Sequence, residues 1–299
     1  MSDVIRVGRR TIPVTHGDRV VFPEGGITKA EIVEHYHRVA PHMLPHVRGR
    51  PVMMQRFPGS DGNANIYQKA MPSHFPEWIH RVTVPKVGGT VTHVVVDEVA
   101  TLVYMANQGS ITPHVWLSRV QHIDKPDRMI IDLDPGSGGT ADARFAAHAS
   151  RELLTEAGLV PHLMATGSRG YHVVVPLRPT EGFEEVRAIA FGLAELLARR
   201  APDRLTTEFH KKERGGRLFL DCNRNAYAQT AVPVYAVRPR PGAPVAVPLT
   251  WEELDTTDPD RWTVRTIGER LDGGADPWDG FSRHARTLDH ARNWLASAP

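Results

Sequence analysis

The sequence has little of what marks disulfide-rich, zinc-thiolate or membrane proteins. It contains one cysteine, Cys222, in 299 residues, which excludes an intramolecular disulfide and a zinc site made of several thiolates. No apolar run approaches the roughly 18 residues of a membrane span, and the N-terminus lacks the apolar core of a signal peptide. We therefore expect a cytoplasmic protein with no membrane partner, in which oxygen or nitrogen atoms hold any metal.

The net charge is also small, at +2, but the charged residues are unevenly distributed. Residues 199–240 contain ten Lys or Arg and four Asp or Glu, whereas residues 251–279 contain three Arg and nine Asp or Glu. The basic stretch could line a positive cleft for phosphate groups. Alternatively, both stretches are solvated faces, which is the usual role of charge runs.

Residues 129–135, Met-Ile-Ile-Asp-Leu-Asp-Pro, carry the most specific chemistry in the chain. Alternate residues of a strand share a face, so Asp132 and Asp134 would project to the same side, about 6 to 7 Å apart. Carboxylates so placed can chelate a hard divalent cation. The alternative is a strand that ends in a turn at Asp134-Pro135-Gly136. That alternative leaves Asp132 unexplained, because a carboxylate buried in an apolar strand without a partner is unfavourable.

The order of predicted elements around this strand indicates an α+β fold. Periodicity and turn residues predict strands at 129–133, 160–165, 171–177 and 217–221, with helices at 140–157 and 183–200. The resulting β-α-β-β-α-β order is that of a ferredoxin-like, or RRM-like, core. In the usual sheet order the first strand lies between the third and the fourth, which brings His172 and Asp221 to either side of Asp132. Three carboxylates then converge, as expected for two divalent ions that serve phosphoryl or nucleotidyl transfer.

The loop 166–170, Thr-Gly-Ser-Arg-Gly, is a candidate phosphate-binding element. Its glycines permit the positive φ of an anion nest, in which consecutive backbone N–H groups bind an anion together with the Ser168 hydroxyl and the Arg169 guanidinium. The loop could also be only a hairpin turn. Its position next to the carboxylates and His172 favours the phosphate-binding interpretation.

The N-terminal part contains a predicted helix that begins at a capping box, Thr28 with Glu31, and runs to Pro41. Lys29 would lie in its first turn, beside free backbone N–H groups and the positive end of the helix dipole, where an anion is favoured. Alternatively, Lys29 is an ordinary solvated lysine.

Further along, Tyr67 and Lys69 could stack on and pair with a nucleic acid, or Tyr67 could be half-buried packing. We also predict a strand at 91–97, a helix at 99–108 that ends at Gly109, and short helical pieces at 251–254 and 264–271. The region after residue 243 has no recognisable motif, so we expect it to pack around the body of the protein.

Three motifs in order resemble those of the archaeo-eukaryotic primase superfamily: Asp132-Leu-Asp134-Pro135, Gly-Ser-Arg-Gly-Tyr-His172 and Leu218-Phe-Leu-Asp221. Within that superfamily the chain resembles the polymerase domain of bacterial DNA ligase D, the nonhomologous end-joining enzyme, from about Thr11 to beyond Arg265. The resemblance implies a primase-polymerase fold and a template-dependent polymerase that fills gaps and extends primer ends at double-strand breaks. It also implies two Mn²⁺ or Mg²⁺ ions as cofactors.

The resemblance assigns a role to thirteen residues of this sequence. Asp132, Asp134 and Asp221 would bind the metals and carry catalysis; His114, Thr166, Ser168, Arg169, His172 and Arg238 would bind the nucleotide; Arg19, Lys29, Tyr67 and Lys69 would bind the DNA 5′-phosphate or the template. The sequence departs from the family pattern at Arg19, where lysine is expected, at Ile66, where a second aromatic is expected, and at Arg224 and Gln229.

The resemblance also implies partners and a division of the chain. The partners are DNA ends or gapped duplexes with a 5′-phosphate, NTPs or dNTPs, a separate ATP-dependent DNA ligase and a Ku-like protein, at the nucleoid. We expect an N-terminal α/β subdomain with the DNA-binding residues at 1–125, the catalytic core at 126–245 and a packing segment at 246–299.

Two other functions fit part of the pattern. A metal-dependent nuclease or phosphodiesterase also uses clustered carboxylates, but it needs no triphosphate site, and Ser168, Arg169, His172 and Arg238 therefore count against it. A noncatalytic module that bridges DNA ends would be expected to lack the three carboxylates, and all three are present.

Overall fold

The computed structural model describes residues 4–56, 66–274 and 276–298. Contacts group the chain into two compact units. The first comprises Met1–Trp116, Thr230–Ala246 and Trp262–Gly274, and the second comprises Leu117–Gln229, Val247–Arg261 and Ala275–Pro299. Each unit is thus built from stretches that are distant in sequence, and the division into three consecutive segments remains a prediction.

The elements of both units are as follows, in chain order. The helices are α1 (Lys29–Val47), α2 (Val99–Asn107), α3 (Gly139–Glu156), α4 (Phe183–Arg200), α5 (Ile267–Asp272) and α6 (Asp289–Ser297). The strands are β1 (Val4–Val7), β2 (Arg10–Pro13), β3 (Val20–Phe22), β4 (Ile27–Thr28), β5 (Arg50–Arg56), β6 (Ile66–Gln68), β7 (Arg81–Lys86), β8 (Gly89–Val96), β9 (Ser110–Trp116), β10 (Arg128–Asp134), β11 (His162–Ala165), β12 (Tyr171–Pro176), β13 (Leu205–Thr206), β14 (Leu218–Asp221), β15 (Thr230–Ala231) and β16 (Val247–Leu249). None of the helices in the described ranges has the length and apolar composition needed to cross a membrane.

The sheet of the second unit confirms the predicted ferredoxin-like order. Its strands lie in the order β13-β14-β10-β12-β11-β16. The first strand of the motif, β10, lies between β12 and β14 and is antiparallel to both. The predicted strands and helices of this core are all present, with small shifts of their ends. The edge strands β13 and β16 were not predicted, because segments of two or three residues are too short for alternation to be detected.

The two faces of β10 differ in chemistry. Met129, Ile131 and Leu133 are at most 1% exposed and belong to the core that α3 and α4 cover. Because successive side chains alternate across a strand, Asp132 and Asp134 project from the opposite face. Their side chains are 22% and 32% exposed. The helices therefore bury the apolar face of β10, while the carboxylates remain partly accessible.

The first unit has its own sheet, in which the strands lie in the order β15-β9-β5-β8-β7 and β6 also pairs with β5. The predicted strand at 91–97 is part of β8, and the predicted helix at 99–108 is α2. Gly109 follows that helix with a φ of +79°, which is a conformation that glycine adopts without steric cost. This helix end is confirmed.

The helix α1 is longer than predicted. We expected it to end at Pro41, but it continues through Pro41 and Pro45 to Val47. Proline removes a backbone donor and usually breaks a helix. Here the residues beyond Pro41 include Met43 and Val47, both fully buried. Burial of this apolar face, against α2 among other elements, offsets the cost of the prolines, and local propensity alone does not predict that.

The C-terminal predictions were partly wrong. Residues 251–254 form turns rather than helix, and the predicted piece at 264–271 begins as a helix only at Ile267. The last helix, α6, was missed altogether, and it packs against α4. The packing is close, because a Cβ on Gly192 of α4 would lie 2.5 Å from Cδ2 of Leu295. The apolar stripe of α6 is short, so its helical pattern is weak in the sequence.

Candidate active site

Asp132 lies at the centre of a polar row that crosses three strands of the second unit. Its register partners are Asp221 on β14 and His172 on β12. Residues directly opposite each other in antiparallel strands project from the same face. Asp134 lies two residues along β10, on that face as well. The expected convergence of Asp132, Asp221 and His172 is therefore present in the strand register.

Neighbouring polar groups orient Asp132 and Asp221. Oδ1 of Asp132 lies 3.4 Å from Nε2 of His172, and its Oδ2 lies 3.8 Å from Nε of Arg224. Oδ1 of Asp221 accepts hydrogen bonds from the backbone N–H and from Nδ2 of Asn223, both at 2.8 Å. Since His172 is only 4% exposed, its ring is held beside Asp132 by the surrounding packing.

Asp134 forms ion pairs with two arginines. Nη1 of Arg214 lies 3.1 Å from its Oδ2, and Nη2 of Arg169 lies 3.5 Å from its Oδ1. The Arg214 side chain is 13% exposed and the Arg169 side chain is 63% exposed. Exposed ion pairs contribute little because water screens them, so Arg214 is the stronger partner of Asp134.

The carboxylates share a face but do not form a ready metal cage. Within the described ranges, no group of three or more His, Cys, Asp or Glu side chains is arranged to hold a metal ion. Cationic side chains lie against Asp132 and Asp134, and Asn223 binds Asp221. The metal-binding role of the three carboxylates therefore remains a prediction, supported by their type and their common face.

The loop 166–170 connects β11 to β12 beside this row. Thr166 is buried, and its hydroxyl donates to Gly170 O at 2.7 Å. Gly167 has the expected positive φ, +65°, but its N–H donates to Pro259 O at 2.8 Å. The prediction that this N–H would serve an anion nest is therefore wrong for this conformation. Ser168 and Arg169 lie at the tip of the loop.

Gly170 allows the loop to approach β10. A Cβ built on this residue would lie 2.1 Å from Leu133 O and 3.1 Å from Cδ of Pro135. A contact of 2.1 Å with backbone is not possible for a real side chain, so only glycine fits here. This close approach brings the loop with Ser168 and Arg169 against the end of the strand that carries Asp132.

Lys29 lies in the first unit and differs from its expected environment. The capping box of Thr28 and Glu31 is confirmed, but the first backbone N–H groups of α1 are not free. Those of Lys29 and its successor donate to the carbonyls of Arg19 and Gly17, at 2.8 and 2.9 Å. The loop before the helix supplies these carbonyls, which the local pattern did not indicate.

The Lys29 ammonium is also enclosed. The residue is 5% exposed, and Nζ donates to the carbonyl and the hydroxyl oxygen of Thr15. Burial and, to a smaller extent, the positive charge of Arg19 together lower the pKa of Lys29 to about 8. Lys29 is therefore not an ordinary solvated lysine, and it loses most of its positive charge when the pH rises above about 8.

His114 belongs to a polar group in the sheet of the first unit. Nε2 of His114 lies 3.0 Å from Oε1 of Gln55, and Nε2 of Gln55 donates to the Tyr67 hydroxyl at 3.2 Å. The Tyr67 and His114 rings meet edge to face, with centroids 6.1 Å apart. Tyr67 is 58% exposed, so most of its ring is available for stacking.

The other residues singled out from the sequence lie at or near the surface. Ile66, Lys69 and Gln229 are exposed, and Arg238 is half-buried in the first unit, where its backbone N–H donates to Pro244 O at 2.7 Å.

Cys222 is a buried free cysteine, and burial raises the pKa of its thiol, as do the charges of Asp221 and Asp132. A thiol that stays protonated is a poor nucleophile.

Sequence reasoning missed three residues that the geometry brings to these groups. Gln55 holds His114, Asn223 holds Asp221, and Arg214 binds Asp134. Gln55 is a polar residue in the apolar strand β5, and Arg214 lies in the basic stretch 199–240, so both carried a weak signal. Neither signal identified the partner, because the partners are far away in sequence.

Comparison with known proteins agrees with this fold. Residues 28–278 match the family model described as the LigD primase-polymerase domain. The chain is 32% identical over 270 residues to the multifunctional non-homologous end joining protein LigD of Mycolicibacterium smegmatis, covering 89% of this chain and 35% of that protein. It is 31% identical over 281 residues to the LigD protein of Pseudomonas aeruginosa, covering 93% of this chain and 34% of that protein.

A solved structure agrees as well. The polymerase domain of Mycobacterium tuberculosis ligase D, in complex with DNA, matches with a TM-score of 0.85 and 29% identity, covering 92% of this chain and 99% of that one. The chain thus spans about a third of the length of the two LigD proteins and nearly the whole of the polymerase domain. We conclude that the chain belongs to the LigD primase-polymerase domain family.

Proposed function

We propose that this chain is a template-dependent nucleotidyltransferase that adds nucleotides to a primer 3′-OH at a gap or a broken DNA end. Membership of the LigD primase-polymerase domain family supports this reaction. Relatives that are named non-homologous end joining proteins support a role at double-strand breaks.

The observation that carries the proposal is the polar row Asp221, Asp132 and His172, with Asp134 beside it on one face of β10. Carboxylates are costly to place on a half-buried strand unless a ligand or partner stabilises them. The opposite face of the same strand is an ordinary apolar core. The sheet therefore has a structural face and a chemical face, as a site for phosphoryl chemistry requires.

Two Mn²⁺ or Mg²⁺ ions are the cofactors that we assign to this face. The donor chemistry fits, because hard divalent cations prefer carboxylate oxygen. Asp132, Asp134 and Asp221 would hold them, and when bound the ions would activate the 3′-OH and hold the triphosphate with its departing pyrophosphate. Arg214 and Arg169 lie against Asp134, so these two side chains must move away from the carboxylate before a metal ion can bind to it.

The remaining roles in the proposal belong to residues that bind the substrates. For the nucleotide these are Ser168, Arg169, His172, Arg238 and His114, while buried Thr166 shapes the loop by donating to Gly170 O. For the 5′-phosphate and the template strand they are Lys29, Arg19, Tyr67 and Lys69. A guanidinium or ammonium group binds phosphate through charge and hydrogen bonds, and an exposed tyrosine ring offers a face for a base.

The chain would act together with other proteins. It spans about a third of the LigD proteins named above, so ligation belongs either to another part of a longer chain or to a separate ATP-dependent DNA ligase. A Ku-like protein would hold the ends, and the reaction would take place in the cytoplasm at the nucleoid.

Extension of a gapped duplex tests the proposal. The substrate has a labelled primer and a 5′-phosphate across the gap, and it is incubated with Mn²⁺ and one NTP or dNTP at a time. We expect the primer to grow by the nucleotide complementary to the template, and the choice to change when the template base is changed. Shortening of the DNA with metal alone would instead support a nuclease, and an absence of extension together with retained DNA binding would support a bridging module.

A further inference from the structure

Phe209 is an exposed aromatic residue of the second unit that the proposed function leaves unexplained. It exposes 63% of its surface, compared with 43% for Tyr227 in the same unit. A single exposed apolar side chain is common on protein surfaces and carries no inference by itself. Its surroundings distinguish Phe209 from such a residue.

Hydrogen bonds between its own residues hold the segment that carries Phe209, residues 207–217. Nε of Arg214 donates to Glu208 O at 3.1 Å, and Nη2 donates to Phe209 O at 2.9 Å. The Arg214 guanidinium lies over the ring of Phe219, 4.1 Å from its centroid. The Phe209 ring meets Phe219 edge to face, at 81° with centroids 6.3 Å apart. The exposed ring is therefore held in place rather than free to fold away.

The end of the segment is held against the strand that carries the carboxylates. The Ser137 N–H donates to Gly216 O at 3.0 Å. A Cβ on Gly136 would lie 2.1 Å from Gly216 O, and the Ser137 hydroxyl also donates to Gly216 O at 3.2 Å, so the two turns are in close contact. Since Arg214 also reaches Asp134, the Phe209 segment is a neighbour of the chemical face of β10.

Two lysines follow Phe209 after one intervening residue, His210. Lys211 and Lys212 are both exposed and lie in one short 3₁₀ turn, Lys211–Glu213. The whole segment 207–217 contains four Lys or Arg and two Glu. An aromatic face followed by exposed cations has the two components of a site for single-stranded nucleic acid, in which a base stacks and the flanking phosphates are neutralised.

We propose that Phe209 is a stacking platform for an unpaired base of a DNA strand, and that Lys211 and Lys212 bind its neighbouring phosphates. A ring that is already ordered stacks with a smaller loss of conformational entropy than a mobile one. The proposal depends on the proposed function only in its choice of DNA as the occupant. It gives that function a second contact with unpaired DNA, next to the carboxylates, which would retain a strand at a resected or mismatched end.

Binding of a fluorescently labelled single-stranded DNA, measured by anisotropy in EDTA and without nucleotide, tests the platform. We expect Phe209→Ala to weaken binding about tenfold, since each stacked base contributes on that scale. Phe209→Leu keeps the apolar character and removes the aromatic face, so it should bind as weakly as the alanine variant. Phe209→Tyr should bind as the parent does. Equal thermal unfolding of all three variants and the parent is the control for folding.

Two further readouts separate stacking from charge. DNA that carries 5-iodouracil should cross-link on irradiation to the tryptic peptide 205–211, which contains Phe209. Lys211→Ala or Lys212→Ala should each reduce the slope of log K against log salt by about 0.7, the value for one phosphate contact on a single strand. Parental affinity of Phe209→Ala, or cross-links confined to other peptides, would overturn the proposal.

The stacking platform and the polymerase function can fail independently of each other. The binding assays need neither metal nor nucleotide. A parent that binds through Phe209 and never extends a primer would contradict the polymerase function and support the platform. A parent that extends primers while Phe209→Ala and Phe209→Leu bind single strands normally would support the function and overturn the platform.

Discussion

Arg214 and Asp134 form an ion pair, with Nη1 of the arginine 3.1 Å from Oδ2 of the carboxylate. The arginine is mostly buried and also holds the backbone of Glu208 and Phe209. A positive group thus lies against one of the three carboxylates that we assign to metal binding. Metal and arginine must therefore compete for Asp134.

Replacing Arg214 with Gln should tighten the binding of Mn²⁺. Removal of a positive charge next to Asp134 eliminates a repulsion of about 1 kcal/mol between arginine and metal, which corresponds to about fivefold in Kd. Calorimetry or Mn²⁺ electron paramagnetic resonance, in the absence of DNA, measures this change. Lys212→Gln removes an equal charge from the same segment and should leave the Kd near the parental value. Weaker Mn²⁺ binding by Arg214→Gln would contradict the competition.

The preference for a 5′-phosphate at the gap should depend on pH through Lys29. The pKa of Lys29 is lowered to about 8, by burial first and then by Arg19. A lysine is cationic below its pKa, so the free protein loses this charge as the pH rises through about 8. We expect the ratio of kcat/KM for 5′-phosphorylated over 5′-hydroxyl gaps to fall between about pH 7 and 9.

The control for this profile is Lys29→Ala, which should show a small preference at every pH. The same pH-dependent preference in this variant and in the parent would remove Lys29 from 5′-phosphate recognition.

A methyl group at position 170 should destabilise the second unit. In Gly170→Ala the new Cβ meets Leu133 O at 2.1 Å, so the loop must move away from β10, at a cost of about 2 to 3 kcal/mol in the free energy of unfolding. Urea denaturation of the variant and the parent measures this loss of stability. Gly182→Ala, whose Cβ would lie no nearer than 4.0 Å to Asp124 O, should cost about 0.5 kcal/mol, as an N-cap change. Equal losses in both variants would show that the close approach is unimportant.

Gln55 should act on nucleotide choice through His114. His114 is one of the residues that we assign to the nucleotide, and we propose that it contacts the 2′-hydroxyl of the sugar. His114→Ala should then reduce the ratio of kcat/KM for NTP over dNTP by about tenfold, which is the contribution of about one hydrogen bond. Gln55→Leu leaves the ring in place and removes its 3.0 Å partner, so the ratio should fall in the same direction by a smaller factor. An unchanged ratio in His114→Ala would exclude the sugar contact.

The core of the second unit and the start of α1 could be predicted because their signals are local. The alternation around Asp132, the helical stripes in α3 and α4 and the capping box at Thr28 each depend on residues a few positions apart. The strand order follows from the usual topology of the β-α-β-β-α-β motif, which predicts Asp221 and His172 on either side of Asp132, as the strand register has them.

The contacts that modify this chemistry are not local. Arg214 meets Asp134 across 80 positions of sequence, and the carbonyls of Gly17 and Arg19 occupy the first N–H groups of α1. The continuation of α1 through Pro41 depends on tertiary burial rather than on propensity. A single sequence records which side chains are present, but the pairing of distant groups is a property of the folded chain.

The most direct test of the account is primer extension by Asp132→Asn and Asp221→Asn on a gapped, 5′-phosphorylated duplex with Mn²⁺ and NTPs. Each change removes a carboxylate that we assign to the metals, so the rate should fall by about a thousandfold, or about 4 kcal/mol, while DNA affinity stays near the parental value. Asp255→Asn, an exposed carboxylate of the same unit, should extend normally. Extension at the parental rate by Asp132→Asn or Asp221→Asn would contradict the assignment of these carboxylates to catalysis.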